Sequence, residues 1–160
     1  MSDILFKTDE YIFSYRVAGI CVNDGKVLLQ KPDNDNGFAF PGGHAAFGET
    51  NEATLIREFK EEIGADIEVG ELKWLGEIFF KWGERDCHQI CPYYMLKITS
   101  DSTPMSGKFR GIEHLEGRDF HIDFYWIPLE EVDNIEIYPE NAKELLSELG
   151  SGVRHFVYKE

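Results

Sequence analysis

The feature that most limits what this chain can become is the stretch from Phe40 to Ala65, FPGGHAAFGETNEATLIREFKEEIGA. Two adjacent glycines, Gly42 and Gly43, follow a short apolar segment and a proline, and a helix-like run begins a few residues later. Thr50 stands where an N-cap is wanted, since its hydroxyl can accept from an orphaned N–H of the first turn. Leu55, Ile56, Phe59 and Ile63 recur at helical spacing and mark an apolar stripe. Gly64 is a natural stop, because glycine adopts the left-handed closing conformation without steric strain. The spacing predicts a helix from Thr50 to Ile63, set just behind a glycine turn.

That helix carries an electrostatic conflict. Glu58 and Glu62 lie one turn apart on one face, and Glu61 flanks them. Each like-charge pair costs a helix about 0.2–0.5 kcal/mol, and the C-terminal end of the helix dipole favours cations instead. A divalent cation resolves both problems. Mg²⁺ takes oxygen ligands and usually keeps some waters while adding substrate phosphate oxygens. A carboxylate outside full coordination can then take the proton of a polarised water. Taken alone, three glutamates are ordinary solvated surface. The preceding Gly42-Gly43 is what points to a site, because it permits a close approach that a side chain would forbid and can aim a backbone carbonyl at a metal. Glu49 and Arg57 offer a directional, bidentate pair if the loop folds back onto the helix.

Charge and composition narrow the partners. The formal net charge of -14 disfavours a non-specific grip on a nucleic-acid backbone. It leaves room for a small phosphorylated substrate handled through cations. At 160 residues a single domain spanning 1–160 is expected. No apolar run is long enough for a membrane span. The segment MSDILFKTDEYIF is acidic where a signal peptide is basic and then apolar, so a cytoplasmic location is expected. Cys21, Cys87 and Cys91 are too few and too odd in number for a disulfide scaffold. Cys87-His88-x-x-Cys91 lacks a second distant ligand pair and reads as a strand with partly buried thiols rather than a zinc site.

Along the chain, strands are expected at Tyr11–Cys21 and Lys26–Gln30, joined by the turn Asn23-Asp24-Gly25. Phe38-Ala39-Phe40 is a short apolar segment. Further strands are expected over 66–80, interrupted at Gly70, then over 89–98 and 121–127. Residues 100–109 read as a loop. Pro139 to Leu149 reads as a helix with Leu145, Leu146 and Leu149 inward, and 155–158 as an edge strand. The order implies a mixed α/β layer fold. Phe79, Phe80 and Trp82 offer rings for a nucleobase, and Arg85 or Lys81 a cation for a phosphate; core packing is the competing reading, above all for the alternating Ile78 and Phe80. Phe6, Tyr11 and Phe13 suit either a homodimer contact or simple cover for a sheet.

From Gly43 the chain reads Gly43, five residues, Glu49, seven residues, Arg57-Glu58-Phe59, one residue, Glu61-Glu62, one residue, Gly64-Ala65. This resembles the Nudix box of MutT-like pyrophosphohydrolases. The departures, Phe59 and Ala65, fall at positions filled by bulky aliphatic residues in the family and concern packing. The resemblance implies a Nudix-like mixed-sheet α/β/α sandwich. It also implies a hydrolase that cleaves a nucleoside diphosphate linked to another group, using Mg²⁺ or Mn²⁺ and an activated water. By this resemblance Glu58 and Glu62 are the principal metal ligands, Glu61 an additional ligand or water contact, and the Gly42 carbonyl a backbone ligand. Gly43, Glu49 and Arg57 support the site. The base is Glu58 in shared duty, or an acid from a later loop. Among Glu113, Glu116, Asp119 and Asp123, Glu116 is preferred because Gly117 favours a mobile loop. Three subfamily markers are absent: a proline about fifteen residues after the box, a tyrosine slightly further on, and an upstream coenzyme A motif. Two other outcomes stay open. One is a nucleotide-sensing module without turnover. The other is an isoprenyl diphosphate isomerase, which needs a cysteine and a glutamate across an apolar pocket.

Overall fold

The computed structural model describes residues 2–33 and 35–160. Twelve strands and two α-helices follow in chain order among these residues: β1 Leu5–Lys7, β2 Tyr11–Ile20, β3 Val22–Asn23, β4 Lys26–Pro32, β5 Phe38–Ala39, β6 Gly42–His44, α1 Asn51–Ile63, β7 Ile67–Trp82, β8 Arg85–Ile98, β9 Lys108–Leu115, β10 Arg118–Pro128, β11 Ile137–Tyr138, α2 Ala142–Ser147 and β12 Arg154–Lys159. A 3-10 turn, Leu129–Asn134, precedes β11. Among the described residues no helix is long and apolar enough to cross a membrane.

The strands form two mixed sheets. One runs β1-β2-β8-β7-β12, with β6 paired to β2; the other runs β11-β5-β4-β10-β9, with β3 paired to β4. In the first sheet β2 and β8 are parallel, and their ladder is interrupted where Arg16 and Val17 face Cys91 and Pro92. Proline has no N–H to donate there. Helix α1 lies against β2, β6, β7 and β9. Its side of the molecule holds a core of Leu55, Phe59, Val17, Leu28, Phe124 and Trp126. A second core, around Phe40, Trp74, Tyr93 and Phe156, takes in Leu145 and Leu146 of α2. This is the α/β/α sandwich expected from the sequence.

Helix α1 forms as its sequence dictates. The Thr50 hydroxyl accepts from the Ala53 N–H, and Gly64 closes the helix at φ 66°. The apolar stripe is rotated from the expected one: Ile56 is 45% exposed, while Thr54 and Glu62 turn inward beside Leu55 and Phe59. A carboxylate thus occupies part of the buried face. Other boundaries move as well. β7 runs unbroken through Gly70, with its register against β8 shifting between Val69 and Trp74. β8 begins at Arg85, four residues before the expected start. α2 is confined to Ala142–Ser147. Part of the 100–109 loop and the residues after it form strand β9, a hairpin with β10 that turns at Glu116 and Gly117, both at positive φ. All three cysteines are buried and free, and burial pushes their thiols up to about 11.

Candidate active site

Strand β6 brings the glycine pair to the site. It pairs antiparallel with β2, placing Gly42 opposite Ala18 and Gly43 opposite Val17. A methyl group on Gly42 would run into the Val17 carbonyl, and one on Gly43 into the Glu58 carboxyl group. Both positions therefore require glycine for close approach rather than for an unusual dihedral. Gly43 is the floor on which Glu58 rests.

Glu49 and Arg57 fasten the loop to the helix. Arg57 Nε donates to Glu49 Oε2 at 2.6 Å and Nη2 to Oε1 at 2.9 Å. Glu49 Oε1 also accepts from the Ala46 N–H and the Thr54 hydroxyl, each at 3.0 Å. Arg57 Nη2 donates to the His44 carbonyl at 3.1 Å, tying in β6, and Nη1 to Glu58 Oε1 at 2.8 Å. The Arg57 hydrogen bonds hold Glu49 well below the usual carboxylate range, at about 2, and those bonds raise Arg57 in turn.

Glu58 and Glu62 are in the opposite condition. Glu62 is 7% exposed, and its nearest charged influence is the carboxyl of Glu58 one turn earlier on the helix. Burial pushes Glu62 well above the usual carboxylate range, and the negative charges of Glu58 and Glu113 add to the effect; Arg16 opposes it. Burial also raises Glu58, while Glu62 and Arg57 pull it back. Glu61 is 43% exposed and reaches Arg57 Nη1 only at 3.4 Å.

The hairpin β9–β10 brings a further acid, Glu113, close enough to act on Glu62. Gly111 packs against the Glu62 carbonyl and Ile63, and Glu113, two residues further along the strand, points to the same side. Glu113 lines a cleft of about 520 Å³ together with Arg16, Gln30, Phe80 and Gln89. Glu116 sits at the hairpin tip, paired with Lys7. Asp119 meets His114 at 2.5 Å, and Asp123 is buried against Arg110 and Lys108. The inward alternation of 109, 111, 113 and 115 was the signal for Glu113, and it becomes visible only once β9 is known to be a strand.

The aromatic candidates separate. Phe79 lies on the opposite face of β7 from Phe80, against His88 with ring centroids 4.4 Å apart and beneath Lys159 Nζ. Trp82 stacks near His44, with centroids 6.1 Å apart and planes 15° apart, and near Phe80 at 6.5 Å. Lys7 Nζ lies 5.2 Å from the Trp82 ring centroid. Arg85 faces Trp82 across the β7–β8 turn. The structure therefore sets Trp82 beside β6 and puts Phe80, rather than Phe79, in the cleft wall.

Among the described residues, no three His, Cys, Asp or Glu side chains form a ready-made metal cage. The donors present nonetheless fit a hard divalent cation. Glu62 is buried beside the largely covered Glu58, and burial pushes both carboxyls above their usual range, a cost that a bound cation would relieve. Mg²⁺ completes its shell with water and phosphate oxygens rather than demanding a cage of protein ligands.

Two mixed sheets clasping a helix with paired buried carboxylates make a Nudix domain, whose profile matches residues 14–149, and the chain belongs to that family. It is similar to an RNA pyrophosphohydrolase of Acinetobacter baylyi, at 29% identity over 83% of this chain and 87% of that protein. It is similar to an ADP-ribose pyrophosphatase of Methanocaldococcus jannaschii at 47% identity, over 35% of each chain. A MutT protein from Bacillus halodurans shares the fold with a TM-score of 0.59 and 18% identity, covering 91% of this chain and 90% of that one. Family membership supports hydrolysis of a phosphoanhydride bond in a nucleotide-linked compound.

Proposed function

We propose that this protein is a divalent-cation-dependent pyrophosphohydrolase of small nucleoside diphosphate derivatives, either nucleoside triphosphates or nucleotide conjugates. The observation that carries this reading is the inward-facing Glu62 beside Glu58, whose carboxyl rests on Gly43 and is fixed by Arg57. Glu58 and Glu62, with Glu61 and the Gly42 carbonyl, would hold Mg²⁺ or Mn²⁺. When bound, the ion supplies charge neutralisation of the diphosphate and activation of phosphorus and water.

The chain's own residues do the rest. Arg57, locked by Glu49, fixes the Glu58 carboxylate and the β6 backbone in one relative position. Arg16 lines the cleft, donates from Nη2 to the Phe40 carbonyl and lies against Cys91, and a guanidinium there is suited to a phosphate oxygen. A carboxylate takes a proton from the attacking water as the water oxygen bonds to phosphorus. The phosphorus–oxygen bond of the anhydride breaks, and the departing phosphate takes its electron pair. Glu58 is placed to accept that proton, and so is Glu113 from the cleft wall. Glu116, at the hairpin tip, can do so only if the tip leaves Lys7.

The acidic surface, at a net charge of -14, favours a small substrate over an RNA chain, whose backbone binds basic proteins. No cysteine is among the cleft-lining residues described, which favours hydrolysis over isoprenyl isomerisation. The test is phosphate release, after phosphatase coupling, across nucleotides and nucleotide-linked metabolites with Mg²⁺, Mn²⁺ or chelator. Metal-dependent turnover is expected. Nucleotide binding without turnover on a broad panel would instead assign a sensing role.

A further inference from the structure

Strand β4 presents an anomaly. Its alternate residues Leu28 and Gln30 share one face, paired across the sheet with Trp126 and Phe124. Leu28, Phe124 and Trp126 all belong to the α1-side core. Gln30 continues that apolar row with an amide. It is 5% exposed, and its Oε1 is buried without a hydrogen-bond partner; no other such side-chain atom occurs among the described residues. A buried acceptor left unpaired is destabilising, and native proteins rarely keep one without a use.

Gln30 lies in the wall of the 520 Å³ cleft, close to Arg16 and Glu113, both near enough to Glu62 to influence it. The other buried glutamine of the same wall provides the contrast. Gln89 Oε1 accepts from the Ser14 hydroxyl at 3.0 Å, and that hydroxyl also bonds His44 Nε2 at 2.9 Å. One amide is pinned by the protein, and the other is left for an occupant of the cleft. The terminal amide torsion is broad and roughly two-fold, so Gln30 can turn its oxygen or its nitrogen outward without leaving its place. Phe80 and Tyr138 add aromatic surface to the same cleft, on which a base can stack.

We propose that Gln30 is a specificity-determining residue that reads the edge of an adenine base seated in this cleft, so that the substrate is an adenosine diphosphate derivative. The inference rests on the hydrolase reading and narrows it. A glutamine amide offers an acceptor and a donor side by side. Adenine offers the complementary pair, the 6-amino donor and the N7 acceptor, whereas guanine offers two acceptors on the equivalent edge. The 6-amino group supplies the donor that Oε1 lacks.

The experiment compares binding of AMP and IMP, with Mg²⁺ present, by calorimetry to wild type and to Gln30→Met, whose folding is checked by thermal melting. The two ligands differ at the position that Gln30 reads: IMP replaces the amino donor with a carbonyl. Wild type is expected to prefer AMP by about tenfold to a hundredfold, and Gln30→Met to bring the two within about twofold. Equal affinity of wild type for AMP and IMP overturns the proposal whether or not the variant folds. A preference for AMP that survives intact in folded Gln30→Met also overturns it. Binding needs no turnover, so the result is independent of the hydrolase test. Metal-dependent hydrolysis without base preference would keep the hydrolase and remove this assignment.

Discussion

Glu49 and Glu62 are thirteen positions apart in one motif, both largely buried, and the protein treats them in opposite ways. Glu49 receives four hydrogen bonds, two of them from Arg57, and is driven down to about 2. Glu62 is driven well up by burial and by the neighbouring Glu58 carboxyl. One carboxylate is completed by the chain; the other is completed only by something the chain does not contain. A buried charge with its partners holds structure together, and a buried charge without them is a demand for a ligand.

The largest expected effect falls on the incomplete side. Glu62→Gln keeps shape and removes the charge, so metal-dependent turnover should drop by about a thousandfold or more, consistent with losing a principal ligand of a catalytic ion. The same variant should be no less stable than wild type in chelator. Steady-state kinetics and thermal melts on one preparation check both halves. A variant that unfolds while its residual turnover stays high would place Glu62 with Glu49 as a structural residue.

Glu49→Gln should behave in the reverse manner, with stability falling by about 1–3 kcal/mol because Arg57 loses its two-point carboxylate contact and keeps only Glu58 and Glu61 as charged partners. Urea denaturation measures this. Activity should fall mainly through the population of folded protein, and should recover in part at low temperature.

The two carboxylates also predict opposite slopes of stability with pH. Glu49 has a folded value below its ordinary one of 4.5. Its contribution is therefore complete above pH 4.5 and is lost as pH falls toward 2. Glu62 has a folded value above its unfolded one, so in chelator the folded state holds the extra proton and stability declines as pH rises past 4.5. Mg²⁺ should cancel that decline and raise stability by about 2.7 kcal/mol at a hundred times its dissociation constant. Melts at stepped pH, with and without Mg²⁺, check the sign of each slope. Glu62→Gln should flatten only the upper one.

The same contrast explains what was legible in the sequence. The clamp and the helix caps could be read from Glu49, Thr50, Arg57 and Gly64 because local spacing determines them. That Glu62 faces inward in place of Ile56 could not be read, because burial depends on which sheet meets the helix. Strand β9 was hidden for a related reason: Lys108, Arg110, Glu113 and His114 make a polar segment whose pairing with β10 is long-range information. Glu113 was hidden with it, and the hairpin tip at Glu116-Gly117 drew attention instead. Gln30 is visible only as a break in an apolar row. Its lack of a partner is a property of the folded wall.

Glu61 lies between the two extremes and should show the smallest effect. It is 43% exposed and touches Arg57 at 3.4 Å, so its ion pair contributes within about 0.5 kcal/mol. Glu61→Gln should therefore leave the melt almost unchanged. If Glu61 adds a ligand or a water contact at the rim of the carboxylate pair, turnover at limiting Mg²⁺ should fall by about tenfold and recover as Mg²⁺ is raised. Such recovery is the response of weakened metal binding, and a loss of stability cannot produce it. A variant equal to wild type at every Mg²⁺ concentration would make Glu61 an ordinary surface residue and leave the site to Glu58 and Glu62.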